Sequence, residues 1–419
     1  MASEFVLSLE NGGGTPPQKP TTPSEVASKK GQSAKKEPWD GLFNKENDDP
    51  NSPLYISPRH RIDIENDIKL GEKYNVEVLK EYKVDTNPKD NELVDRIGNE
   101  LATIANSHHL IALWGDKRFS KFPMHFTVLK GSDVNAFSLP GGYIYVFSGL
   151  LKYVQSNDEL AGVLAHEMSH VEFRHVATLQ AQASKLNLFT FPLILFGLLT
   201  AGGSGLQAVS LGSMINQSTE SGWSQNAEKA ADYGGFQILT HSRFNPVGML
   251  TMMEHLARDE RLGPNVPLGI YRTHPPSPQR ATLLEGYLKK AGYPIDRSAV
   301  SSLFSSSVKP EDQGIVALYF HRDLIFNFAG TEAVQRAEDA SKRINKFLDS
   351  TPELFQVTIG SDDNPYGNGQ KLFTITPDDI VASKMTLAQL DTVTKKAIQS
   401  AIYDYNTMIW MGQGTDSIP

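Results

Sequence analysis

VLAHEMSHVEF, residues 163–173, decides how this chain is read. His166 and His170 stand four positions apart. On a helix such positions lie about 40° apart around the axis and one turn along it, so two imidazoles converge on one point. Glu167 is offset by about 100° and reaches toward a water on the metal rather than the metal itself. This pattern suits a zinc ion, which lowers the pKa of a water to about 7 so that a carboxylate takes its proton. Val163, Leu164, Val171 and Phe173 flank the motif with apolar side chains. The helix is therefore expected to be packed, where unpaired polar groups are costly.

A catalytic zinc needs a third protein ligand and an open fourth position. His175 fails by spacing. It stands about 140° around a continuous helix from His170. The pattern HExxHxxGxxH also needs glycine and histidine where Phe173 and Val176 stand. His175 is expected as a polar surface group or as an outer partner of a ligand. The better candidate lies in SQNAEKAADYGG, residues 224–235. There Glu228 and Asp232 are four apart on another helix. Glu228 is expected to ligate, and Asp232 to accept the free N–H of a ligand histidine and fix its tautomer. A surface pairing of Glu228 with Lys229 is the competing reading. A third element is THPP, residues 273–276. Pro275 biases His274 toward an extended conformation. Beside the zinc, His274 either stabilises an oxyanion or fills the open position and holds the site inactive; a helix cap is the plain alternative. Arg280 is expected to tie that loop to a carboxylate.

The 419 residues suffice for two domains. The net charge of −8 and the lack of a basic stripe interleaved with aromatics argue against a nucleic-acid partner. There is no cysteine, so disulfides, thiolate metal sites and cysteine nucleophiles are excluded. Met1 to Glu10 does not read as a signal peptide. Residues 11–40, rich in Gly, Pro, Ser and Lys, read as disordered, and order is expected from about residue 54. Helices are expected over 62–80, 91–106, 158–178, 223–240, 246–261 and 278–291, with Asn157 or Asp158 capping the motif helix. Short strands are expected over 123–129 and 143–147. The most apolar run, 186–200, is too short to span a bilayer and contains Pro192. It reads as a buried or lid-like hairpin helix, or as a peripheral membrane contact. After a Ser-rich stretch the pattern changes to a strand over 315–328, a helix over 331–348, strands over 354–360 and 371–376, and a helix over 386–406.

Four blocks in order, NAFSLPGGYIYVFSGLL, VLAHEMSHVEFRH, SQNAEKAADYGG and THPPSPQR, make residues 55–295 resemble zinc metallopeptidases of the HtpX and BepA type, relatives of the CaaX prenyl proteases. The resemblance implies a mainly α metallopeptidase domain with a small β-sheet edge, an α+β zincin, acting in protein quality control outside the cytoplasm. It implies one zinc on His166, His170 and Glu228, with Glu167 as catalytic base and His274 near the metal. It also implies an edge strand beside the cleft, where Asn135, Ala136, Phe137, Gly141, Gly142 and Tyr143 meet a polypeptide bound as an added strand. Gln225 departs from the arginine that many members carry, and the C-terminal helical repeats of BepA are missing. Residues 315–406 resemble, more weakly, small α+β modules of cyanobacterial envelope proteins. The expected organisation is a disordered segment (1–53), a zinc metallopeptidase domain (54–297), a linker (298–312) and an α+β accessory domain (313–419) open to a protein partner. An adaptor that binds clients with little proteolysis is the rival expectation.

Overall fold

The computed structural model of the chain describes residues 39–185, 223–262 and 278–409. The segment 1–38, the apolar run 186–200 and His274 lie outside the described residues. Within 39–53 the expected disorder is corrected. Helix α1 (Lys45–Asp48) is closed by Asn44, whose side chain accepts from the backbone N–H groups of Glu46 and Asn47. Trp39, Leu42 and Phe43 pack on a cluster containing Ile64, Ile68 and Phe122.

Helices α2 (Pro58–Glu81) and α3 (Pro88–Ala105) begin earlier than apolar spacing alone foretells. Each has Pro in its first turn after a capping side chain, Ser57 or Asn87, which is the usual chemistry of a helix start. Strands β1 (His125–Leu129), β2 (Ala136–Leu139) and β3 (Tyr143–Phe147) form a sheet in the order β1-β3-β2. Strand β3 pairs in parallel with β1 and antiparallel with β2, which leaves β2 at an edge among the described residues. The Pro140–Gly142 turn needs its glycines. Gly141 and Gly142 have φ of 80° and 100°, and a Cβ on Gly141 would meet Ile68 Cα of α2 at 2.5 Å.

Helices α4 (Ser148–Tyr153) and α5 (Asn157–Glu172) follow, and Ser156 rather than Asn157 or Asp158 caps α5. The single helix expected over 158–178 is broken. Phe173 closes α5, Arg174 takes φ 49°, and α6 (His175–Lys185) starts afresh. The cause is remote. The Arg174 guanidinium binds Asp67 Oδ2 at 2.6 Å and Asp116 Oδ2 at 3.0 Å. Helix α7 (Trp223–Thr240) lies against α5 through Gly234 and Gly235, where a Cβ on Gly234 would meet Ser169 Oγ at 2.6 Å. Helices α8 (Val247–Leu262) and α9 (Pro278–Lys290) complete a core that includes Leu101, Val146, Leu164, Ile238 and Leu284. Among the described residues no helix is long and apolar enough to cross a membrane.

Beyond α9, Ser306–Pro310, expected in a linker, is strand β4. It pairs with β5 (Val316–Phe320), and β5 with β6 (Asp323–Phe328). The strand expected over 315–328 is thus a hairpin, turning at His321 with φ 53°. Then come α10 (Ala333–Asp349), a small sheet of β7 (Val357–Ile359), β8 (Pro365–Gly367) and β9 (Gln370–Lys371), α11 (Pro377–Ser383) and α12 (Leu387–Met408). Residues 372–376, expected as strand, are irregular, and α11 was not foreseen. Phe304, Leu318, Phe328, Ile344 and Ile402 belong to a second core. At the junction Arg297 binds Glu254 of α8 through two 2.8 Å hydrogen bonds, and Ser298 and Tyr405 both bond Asp349.

The cluster around Arg174 has a pH signature. His60 is buried, with Nε2 at 3.1 Å from both Phe119 O and Ser120 Oγ. Burial, with Arg118 and Arg174 nearby, pushes its pKa down to about 4. The folded-state value is below the unfolded one, so the contribution to stability is complete above about pH 6.5 and is lost as pH falls toward 4. His60→Gln is expected to remove up to about 3 kcal/mol of that decline. Urea titrations of both proteins at several pH values across the window measure it; equal slopes refute it.

Candidate metal centre

Helix α5 carries His166, Glu167 and His170, and α7 brings Glu228 and Asp232 to the same side. On α7, Gly235 lies on the face of Glu228 and Asp232, and its hydrogen side chain admits the α5 backbone at His166. Three ligand atoms converge. His166 Nε2 and His170 Nε2 are 3.1 Å apart, and Glu228 lies 3.4 Å from the first and 3.5 Å from the second. Two ligands at zinc distances of about 2.0–2.1 Å and a tetrahedral angle are about 3.3 Å apart. Among the described residues this is the group of three or more such side chains that could hold a metal ion.

The tautomers can be followed around the site. His166 Nδ1 lies 3.0 Å from Asp232 Oδ1, so it carries the proton and donates it. His175 Nε2 lies 3.3 Å from the carbonyl oxygen of Trp114, which only accepts. Burial keeps the His175 pKa down at about 4, so this ring is neutral and its Nδ1 is an acceptor. His170 Nδ1, 2.9 Å away, must then donate to it. Both Nε2 atoms are thereby left as lone pairs aimed at the same place. Lone pairs 3.1 Å apart repel unless a cation lies between them. The charge agrees. Burial pushes the His166 pKa down, but Asp232 and Glu228 outweigh it and raise it, so the site draws positive charge. The residues present fit a zinc ion.

His175, passed over as a ligand, lies outside the converging group of His166, His170 and Glu228. The break at Arg174 turns it back onto His170 as an outer partner, a position no continuous helix gives. Gly115, with φ 98°, makes room: a Cβ there would meet Phe173 O at 2.5 Å and His175 Cδ2 at 2.8 Å. His175→Phe is expected to weaken zinc binding about 10–100-fold, read by competition with a chelator. Unchanged affinity would show that the tautomer is set elsewhere.

Arg280, expected to tie its loop to a carboxylate, reaches two. It donates to Asp232 at 2.7 and 2.8 Å and lies 3.1 Å from Glu228 Oε2. Burial pushes Asp232 up, and Arg280 and His166 more than reverse this, so the carboxyl stays ionised. Glu167 accepts from Ser138 Oγ at 2.9 Å, with both groups buried. The sequence reading missed Ser138, although the signal was available: it is the polar residue of AFSL in a strand, pointing opposite to Phe137.

Of the expected polypeptide-contacting residues, Ala136 and Phe137 lie in edge strand β2, and Asn135 immediately precedes it. Gly141, Gly142 and Tyr143 are located elsewhere. The two glycines lean on α2 and Pro123, and Tyr143 is in β3, whose two sides are already paired. The Phe137 side chain stacks on Tyr145 in the core, so only backbone is offered there.

Residues 88–288 match the model of Peptidase family M48. Over those residues the chain is similar to peptidase family M48. The chain thus carries a metallopeptidase domain, and M48 peptidases are metal-dependent. A second model, Domain of unknown function (DUF8459), matches residues 316–405. Over 220 residues the chain is 29% identical to the beta-barrel assembly-enhancing protease of Yersinia pestis, covering 51% of this chain and 42% of that protein. It is 30% identical over 186 residues to the mitochondrial metalloendopeptidase OMA1 of Saccharomyces cerevisiae, covering 44% of this chain and 52% of that one. With metalloprotease LoiP of Escherichia coli it shares 31% over 161 residues, 38% of this chain and 60% of that one. The chain spans less than two thirds of each of these M48 relatives.

Proposed function

We propose that this chain is a zinc metalloendopeptidase of the zincin fold that cuts unfolded or misassembled envelope polypeptides outside the cytoplasm. One observation carries the reading: two imidazole lone pairs and a carboxylate converge at zinc spacing beside a buried glutamate that is not among them. Zinc in that place supplies a Lewis acid and brings the pKa of a water to about 7. Glu167, oriented by Ser138, takes the proton of the attacking water and hands it to the leaving nitrogen. Asp232 and His175 hold the ligand rings in one tautomer, and Arg280 pairs with both α7 carboxylates and keeps Asp232 ionised. Strand β2 offers backbone groups to an extended polypeptide, which is bound without regard to its sequence. The names of the M48 relatives, among them a beta-barrel assembly-enhancing protease, support envelope proteins as the substrate class.

The test offers zinc-loaded protein an outer-membrane β-barrel chain, unfolded and folded, with and without chelator. Fragments are expected from the unfolded chain alone, and none with chelator. One equivalent of zinc with no fragments from either would replace this reading by the client-binding adaptor.

A further inference from the structure

A cavity opens between α5 and α8, and His166 and Glu167 stand in its lining. Its volume is about 60 Å³, several waters' worth of space, and it opens to solvent. Away from the metal centre its walls are apolar: Val163 from α5, and Met249, Met252, Met253 and Leu256 from α8. Every charged group in the lining belongs to the site already described. A polypeptide whose carbonyl reaches Glu167 brings a side chain next to that bond to the cavity mouth. Burying an apolar side chain there is favourable, and flexible thioethers adapt to leucine, methionine or phenylalanine alike.

The wall is held from behind. Around α8, at about 100° per residue, Met249, Met252, Met253 and Leu256 centre on the side opposite Glu254. Glu254 is buried and bonded twice to Arg297, where the chain enters the second domain. The next residue, Ser298, bonds Asp349 of α10, to which Tyr405 of α12 also donates at 2.6 Å. The C-terminal domain is therefore fixed to the back of the helix whose front is the cavity wall.

We propose that this methionine-walled cavity receives an apolar side chain of the polypeptide adjacent to the bond being cut, and that the C-terminal domain sets its depth through Arg297 and Glu254. The proposal rests on the peptidase reading. Its test uses the zinc-loaded full chain and does not need turnover. Leucine hydroxamate is expected to bind at least about tenfold more tightly than glycine hydroxamate, by calorimetry. Met252→Phe should shrink that preference severalfold, and Met252→Ala should extend it to phenylalanine hydroxamate. Cleavage maps of casein should move in parallel, with leucine and methionine on one fixed side of the cut giving way to alanine in Met252→Phe. Glu254→Gln, which keeps a hydrogen bond to Arg297 and so favours folding, should blunt the leucine preference with zinc content unchanged. Leucine preference without fragments refutes the peptidase reading and keeps the cavity. Fragments without side-chain preference, and equal binding of the two hydroxamates, keep the peptidase and refute the cavity. A full leucine preference in folded Glu254→Gln refutes the role given to the C-terminal domain.

Discussion

Glu167→Gln is expected to lower casein cleavage about a thousandfold while zinc stays at one per chain. The carboxamide fills the same space and still accepts from the Ser138 hydroxyl, so the fold and the ligand set are untouched. It cannot take a proton from water, and that is the step asked of it. Ser138→Ala separates orientation from basicity. Removing one hydrogen bond to a buried charged group is worth about 1.5 kcal/mol, so a loss nearer tenfold is expected. Kinetics on a quenched peptide and metal analysis of the same samples measure both. A Glu167→Gln protein that digests at the wild-type rate would sink the mechanism.

The second large effect is on stability. Arg280 is buried and is the cation shared by Asp232 and Glu228. Arg280→Met leaves two buried carboxylates facing His166. Breaking a buried pair from one side costs about 3–5 kcal/mol, because the remaining charge is uncompensated. The loss should be largest after chelation. With zinc bound, the ion's two positive charges take over part of the neutralisation, so the fall in melting temperature should be smaller. Equal losses with and without zinc would show that Arg280 acts through packing rather than charge.

Much of this site was legible because its chemistry repeats at helical spacing. His166 and His170, like Glu228 and Asp232, are pairs four apart, and that periodicity survives in the sequence without its surroundings. The helices around them announce themselves by apolar spacing, down to the limits of α7. What was not legible depends on distant partners. Nothing near residue 174 says that the helix must break there; the reason lies at Asp67 and Asp116, which reach Arg174 only in the folded chain. The role of His175 follows from that break and was hidden with it. Strand β4 was concealed in a serine-rich stretch, because its stability comes from pairing with β5 rather than from its own side chains. Gly141 and Gly142 were expected to meet a bound polypeptide, yet their tight approach to α2 and Pro123 is a matter of tertiary fit.

The convergence of α5 and α7 also sets the order in which the site is completed. The two histidines are synthesised well before Glu228, and Arg280 comes later still. A chain emerging from the ribosome with only α5 complete presents two imidazoles and no carboxylate to close the site, and metal capture is coupled to folding of the whole set. Such a chain holds metal weakly and has no α8 wall against which to seat a substrate. On the proposed reading, the hydrolytic centre is complete only once the last of its parts has been made.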